Sequence, residues 1–183
     1  MSVPASCCNT PPVRADYTPK GETIKINDRD CYVVGDKSAK RAIIYIYDIF
    51  GFHSNAYQGC DILSAKGFRV FMPDIFKGKP CVESDLGDIS RLMGILAERA
   101  DWDTILLPTI NGVKAYLEGE GITKVGLIGF CWGAKMAFRA TAESPFFAAV
   151  AAVHPSFAAR EDFEKSQAPL CLMPSRDDGE LKE

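Results

Sequence analysis

Short apolar runs alternate with amphipathic stretches along the chain. The apolar runs are typical of buried strands and cover residues 42–47, 69–72, 125–130, 146–153 and 170–173. Apolar side chains at helical spacing fall in residues 55–66, 84–96, 102–117, 134–140 and 158–165. Residues 23–27 and 31–34, on either side of a polar turn, indicate a hairpin. Strands that alternate with helices predict an α/β fold, with a mostly parallel central sheet and helices on both of its faces.

Individual residues mark where the helices begin and end. Asn55 is a candidate cap for the first helix, and Gly67 is expected to stop it. Ser84 is expected to begin the second helix. Pro108 lies inside the third helical stretch, where it should kink the helix or shift its start.

Length and composition predict one domain. The 183 residues suffice for a single domain with a core, and residues 1–20, which hold four prolines, read as an extended arm on it. The net charge is −3 without a basic cluster, which argues against nucleic-acid binding. No apolar run reaches the ~18 residues that span a bilayer, and the N-terminus lacks a secretion signal. These features favour a cytoplasmic protein that acts without a membrane.

The cysteines favour reduced thiols over metal or disulfide sites. The chain has seven, with no C-x-x-C pair and no histidine at ligand spacing, so a zinc site is not expected. Without a secretion signal, a disulfide framework is not expected either. Adjacent Cys7 and Cys8 in the proline-rich segment are interpreted as a surface feature, with a redox or metal role as the weaker alternative.

Residues 124–142 carry the strongest chemical signal. A predicted strand runs into the sequence G-F-C-W-G at residues 129–133, and a predicted helix follows. This is the nucleophile-elbow pattern G-x-S-x-G with cysteine in place of serine. Gly129 and Gly133 would let the strand and the helix approach, while Cys131 would project at the helix N-terminus, where the dipole favours a thiolate. A buried structural cysteine is the alternative.

Four segments together resemble the dienelactone hydrolase family. They are Y-D-I-F-G at 47–51, P-D at 73–74, G-F-C-W-G-A at 129–134 and A-V-H-P-S at 152–156. The family consists of small α/β-hydrolases with a Cys-Asp-His triad, and the Cys-Cys pair near the N-terminus is similar to its fungal branch. The resemblance covers essentially the whole chain and implies the α/β-hydrolase fold.

The resemblance also implies roles for individual residues. Cys131 would be the nucleophile, and the backbone N–H groups of Ile49 and Trp132 would form the oxyanion hole. Asp48 replaces a family glutamate that contacts the resting thiol, with a side chain one methylene shorter. Asp177 would be the triad acid, with adjacent Asp178 as its close competitor.

No histidine follows Asp177, and the chain ends six residues later, whereas the family places its triad histidine beyond the acid. The last strand and helix of the fold are therefore expected to be missing, and 1–183 is expected to be a partial domain. His154 is interpreted as structural or pocket-lining, and His53 as a weaker candidate base. Low or absent activity is expected of this chain.

Two hypotheses follow from these residues. The first is a hydrolase that opens lactones or carboxylic esters through Cys131, with a small-molecule substrate and no metal or organic cofactor. Phe50, Phe76 and Trp132 would line its apolar pocket, although Phe76 fits the core equally well. The second is a non-catalytic binding or regulatory protein on the same scaffold. A cysteine-based redox sensor is a third, weaker interpretation, and the sequence does not indicate an oligomeric state.

Overall fold

A computed structural model describes residues 16–176 and residue 178. Its strands, in chain order, are β1 (Glu22–Ile26), β2 (Arg29–Val34), β3 (Arg41–Ile46), β4 (Arg69–Pro73), β5 (Lys124–Phe130), β6 (Phe147–Val153) and β7 (Leu170–Met173). Its α-helices are α1 (Ser54–Ser64), α2 (Ile89–Arg99), α3 (Leu107–Gly119), α4 (Trp132–Glu143) and α5 (Arg160–Glu164). A 3₁₀ turn (Glu83–Asp85) precedes α2, and a π-helical turn (Trp102–Leu106) leads into α3.

The strands form one sheet in the order β1-β2-β4-β3-β5-β6-β7. The hairpin β1–β2 joins β4 antiparallel, and the remaining neighbours all pair in parallel. The predicted hairpin and mostly parallel sheet are therefore confirmed. The carboxyl ends of β3, β5, β6 and β7 meet at one edge, which is where open α/β sheets place their sites.

Helices cover both faces of the sheet, as predicted. Ile44 of β3 pairs in register with Phe71 of β4, so these two side chains share a face. Phe71 packs against Tyr116 of α3, with ring centroids 5.8 Å apart. Tyr45 points to the opposite face, where its ring lies close to Gly59 of α1.

Two predicted helix starts are wrong. Helix α1 has His53, not Asn55, at its N-cap position, and that side chain makes no capping bond. Helix α2 begins five residues after Ser84, because Gly87 has φ +89° and Asp88 then caps the helix by accepting from Arg91 N at 3.1 Å. A Ser-x-x-Gly stretch offers a local turn that competes with the helix.

The other two signals are confirmed. Gly67, with φ +83°, lies in the turn that follows α1. Pro108 occupies the first turn of α3, where its missing N–H costs no hydrogen bond, so it shifts the helix start to Leu107. In the part of the chain that the structure describes, no helix is long and apolar enough to cross a bilayer.

A buried carboxylate on α1 fixes the start of the described chain. Asp61 is 3% exposed and accepts from Tyr17 Oη at 2.6 Å, Lys20 N at 3.0 Å and Tyr32 Oη at 2.5 Å. Most of the predicted arm, residues 1–20, lies outside the described residues. Its last residues are bonded to α1, and the residue that follows the arm, Gly21, donates its N–H to Tyr32 Oη of β2.

These contacts predict a loss of stability at alkaline pH. The hydrogen bond to Asp61 raises the pKa of Tyr17 from 10.0 to about 12. A group whose pKa is raised in the folded state contributes its full stabilisation below its unfolded-state pKa, here 10.0. This contribution of Tyr17 to the free energy of unfolding disappears as pH rises through about 12. We expect the urea midpoint of Tyr17→Phe to change less across this window than that of the wild type. Tyr116→Phe, in α3, is the control. An equal dependence of the urea midpoint on pH in all three proteins would contradict the assignment.

Candidate active site

The turn between β5 and α4 is sharp and strained. Cys131 has φ 54° and ψ −120°, a conformation that non-glycine residues rarely adopt. Holding it costs on the order of 1–3 kcal/mol, which the surrounding structure must supply. Cys131 is half-buried at the head of α4. The strand, turn and helix predicted around the motif are therefore present.

Two glycines allow this turn. A β-carbon on Gly129 would collide with Gly133 O and lie 2.6 Å from Ala134 Cα. A β-carbon on Gly133 would lie 2.6 Å from Ile46 O and closer still to Tyr47 O. Gly129 therefore brings α4 onto its own strand, and Gly133 brings the helix onto the end of β3. The second contact sets the distance between the thiol-bearing turn and the loop after β3.

The loop after β3 is a tight turn closed by Asp48. Gly51 N donates to Asp48 O at 3.2 Å, and Phe50 N donates to Asp48 Oδ1 at 2.9 Å. The N–H of Ile49 belongs to the same peptide as Asp48 O and points the opposite way, so it faces out of the turn. Asp48 Oδ1 also lies 3.3 Å from His53 Nε2. The contact of Asp48 with the thiol that the resemblance implies stays a prediction.

Trp132 is the first residue of α4, where backbone N–H groups have no intrahelical acceptor. Its side chain is 5% exposed and stacks on Phe76, which in turn stacks on Tyr47 of the loop after β3. Both pairs of ring centroids are 5.4 Å apart. Phe76 is 3% exposed and belongs to the core. Phe50 is half-buried and packs against that core. The stack ties the two loops that carry the Ile49 and Trp132 amides.

The chain after β6 wraps around Cys131. Phe130 pairs with Val153 in the sheet, and Cys131 N donates to Val153 O at 3.0 Å. Ser156 N donates back to Cys131 O at 3.1 Å, and Ser156 Oγ lies 3.3 Å from Cys131 Sγ. Ser156 is 4% exposed.

His154 is paired with Asp178, an acid that follows β7. Its Nδ1 lies 2.6 Å from Asp178 Oδ1 and 3.0 Å from Ser175 Oγ. Asp178 Oδ2 also accepts from Ser175 N at 2.5 Å, and the Asp178 side chain is 1% exposed. Asp177, the acid preferred from the sequence, lies outside the described residues.

Sequence reasoning gave Ser156 no role. The residue stands two positions after His154, inside the A-V-H-P-S segment that resembles the family. A usable signal existed, because Ser156 follows the apolar run 146–153, which is the next predicted strand after the elbow strand along the chain. Strand adjacency alone does not say which of several residues after a strand turns toward the neighbouring nucleophile.

Burial predicts a graded reactivity of the thiols. Cys31, Cys60 and Cys81 are at most 3% exposed, and burial raises the pKa of all three, that of Cys81 to about 11. Cys171 is exposed. At neutral pH we expect iodoacetamide to modify Cys131 first, Cys171 more slowly, and the three buried thiols only after unfolding, as read by peptide mass spectrometry. Equal rates for all five would contradict an activated Cys131.

Comparisons with known proteins agree with the fold and the motif. The sequence profile of the dienelactone hydrolase family matches residues 30–180. An uncharacterized AIM2 family protein of Schizosaccharomyces pombe is 33% identical over 190 residues, which cover 95% of this chain and 74% of that protein. Dienlactone hydrolase 1 of Gibberella moniliformis is 28% identical, covering 94% and 69%.

A solved structure shares the fold at low identity. The dienelactone hydrolase-like promiscuous phosphotriesterase P91, from metagenomic libraries, superposes with a TM-score of 0.64 at 18% identity. The match covers 87% of this chain and 69% of that one. It supports the α/β-hydrolase architecture and, at this identity, nothing about substrate.

Proposed function

Because this chain belongs to the dienelactone hydrolase family, we propose that it hydrolyses carboxylic ester or lactone bonds with the thiol of Cys131 as nucleophile. The observation that carries the proposal is the strained backbone of Cys131 at the N-terminus of α4. A half-buried cysteine gains nothing in packing from such a conformation, which costs free energy. The turn does, however, aim the side chain out of the sheet edge and toward the helix dipole, which favours a thiolate.

The first step is attack by sulfur on the carbonyl carbon. A C–S bond forms and the carbonyl π electrons move to oxygen, giving a tetrahedral oxyanion. The N–H groups of Trp132 and Ile49 would donate to that oxygen, and one such donor typically contributes about 10²–10³ in rate. Collapse re-forms the carbonyl and breaks the C–O bond to the leaving group. The leaving oxygen takes a proton from water and departs as an alcohol or, from a lactone, as the hydroxyl at the other end of the same molecule.

The second step is hydrolysis of the acyl thioester. Water adds to the acyl carbon, a base takes its proton, and the thiolate leaves. Among the described residues, His154 is the histidine that directly follows β6, which pairs with β5. Asp178 contacts its imidazole through Nδ1. An imidazole held through one nitrogen exchanges protons at the other, so Nε2 of His154 is our candidate for this proton transfer. The role of Asp177 as triad acid stays a prediction.

Trapping the acyl-enzyme tests the proposal. The protein is mixed with an activated aryl acetate, quenched in acid and digested, and each cysteine peptide is weighed. We expect one acetyl group on Cys131, formed with the kinetics of aryl alcohol release, and little on exposed Cys171. Release without acetyl on Cys131, or equal acetylation of both cysteines, would contradict the mechanism. The alternative raised from the sequence, a non-catalytic binding protein, gains no support from the relatives and would give neither product.

A further inference from the structure

Ser156 is bonded to Cys131 twice, through its main chain and through its side chain. The main-chain N–H donates to Cys131 O, and Oγ lies 3.3 Å from Cys131 Sγ. The residues are 25 positions apart, so this contact is made by the fold and not by local geometry. The bond from Cys131 N to Val153 O closes the same segment onto the elbow. Two main-chain hydrogen bonds, one from the N–H and one to the carbonyl of Cys131, therefore hold the Ser156 hydroxyl against the sulfur.

We propose that Ser156 is a catalytic residue whose hydroxyl stabilises the thiolate of Cys131. A serine hydroxyl is both donor and acceptor, so it accepts from the thiol S–H and donates to the thiolate after the proton leaves. Hydrogen bonds to a charged partner are roughly twice as strong as neutral ones. The same contact is thus stronger in the ionised state, and it favours ionisation.

Burial increases this effect. Ser156 is 4% exposed, so water competes little for its hydroxyl. In such surroundings a hydrogen bond is electrostatically stronger than in bulk solvent. Ser64 of α1 is half-buried, and its hydroxyl donates to Asp61 O of its own helix at 2.8 Å. Ser64→Ala therefore separates the effect on sulfur from a general effect of removing a bonded hydroxyl.

The inference rests on the proposed function only in sharing its nucleophile, and it is tested without an ester. The pH profile of iodoacetamide alkylation at Cys131 is measured peptide by peptide for the wild type, Ser156→Ala and Ser64→Ala. We expect the midpoint of Ser156→Ala to rise by about one pH unit, with about tenfold slower alkylation at pH values below it. Ser64→Ala should retain the wild-type profile.

Two variants of equal side-chain volume separate loss of the hydroxyl from a packing defect. Ser156→Thr keeps the hydroxyl, and Ser156→Val has the same shape as threonine with a methyl group in place of the hydroxyl. The threonine variant should retain the wild-type midpoint, whereas the valine variant should shift as alanine does. An unchanged midpoint in both Ser156→Ala and Ser156→Val, or an equal shift in Ser64→Ala, would overturn the role of Ser156. Absence of ester cleavage with a shifted midpoint would overturn only the proposed function.

Discussion

Replacing Cys131 with alanine is expected to abolish the rapid release of aryl alcohol from an activated ester. In the proposed mechanism the sulfur forms the covalent bond, so its loss should reduce the acylation rate by at least about 10³-fold, to the level of the background reaction. Stopped-flow absorbance measures the burst, and its amplitude should equal one alcohol per protein in the wild type.

Cysteine 171 supplies the matched control. It is exposed and follows no strained turn, so Cys171→Ala should keep the full burst. Cys131→Ser tests the chemistry further, because a hydroxyl in the same place needs a base that a thiolate does not. We expect its burst to be much slower than that of the wild type. Equal bursts in Cys131→Ala and the wild type would remove the thiol from the reaction.

Replacing Gly133 with alanine is expected to destabilise the fold and slow acylation together. The added β-carbon would collide with Tyr47 O and lie 2.6 Å from Ile46 O, which are main-chain atoms at the end of a central strand. Backbone cannot swing aside as a long side chain can, so the helix and strand must separate. Overpacking of this kind costs about 1–3 kcal/mol in free energy of unfolding, which denaturant titration measures.

The catalytic effect follows from the same displacement. In the proposed mechanism the Ile49 amide of the loop after β3 and the Trp132 amide of α4 donate to one oxygen, so separating the two elements weakens acylation. Alkylation by iodoacetamide needs no such donors and should fall less than acylation. Gly94→Ala is the matched control, because among the described residues no atom outside its own helical turn lies within 4 Å of its β-carbon position, and α2 gains about 0.5–1 kcal/mol from alanine. A Gly133→Ala variant as stable and active as Gly94→Ala would refute the close-approach argument.

The sequence was most informative where one physical constraint acted alone. Short apolar runs predicted β3, β5, β6 and β7 to within about a residue. The interior of the sheet accepts such a run for β3 and β5, whereas three of the four residues of β7 are exposed at the edge. The glycines of the elbow were equally clear, since their need for space depends only on the residues of the turn. The sequence profile of the family matches residues 30–180, a range that includes these strands and the elbow.

Prediction failed where two local structures competed or where distant segments met. Ser84 carries a valid capping signal, yet Gly87 allowed a turn that moved the start of α2 to Ile89. The pairing of His154 with Asp178 and the contact of Ser156 with Cys131 depend on how chain segments leave adjacent strands. Pattern along a chain gives strand neighbours but not the direction of each loop beyond them.

Asp178, the acid that contacts His154, follows a short strand at the edge of the sheet. β7 has four residues, and among the described strands it pairs only with β6, while Leu170 and Met173 are about two-fifths exposed. Short edge strands open locally at a lower free energy than a whole domain unfolds. On warming, amide hydrogens of β7 would exchange with solvent before those of β5. The imidazole of His154 would then lose its contact with Asp178 while Cys131 remained at the N-terminus of a folded α4. Under the proposed mechanism, such a molecule would still be acylated on Cys131 but would hydrolyse the acyl thioester slowly, so heating would stop turnover at a lower temperature than it unfolds the domain.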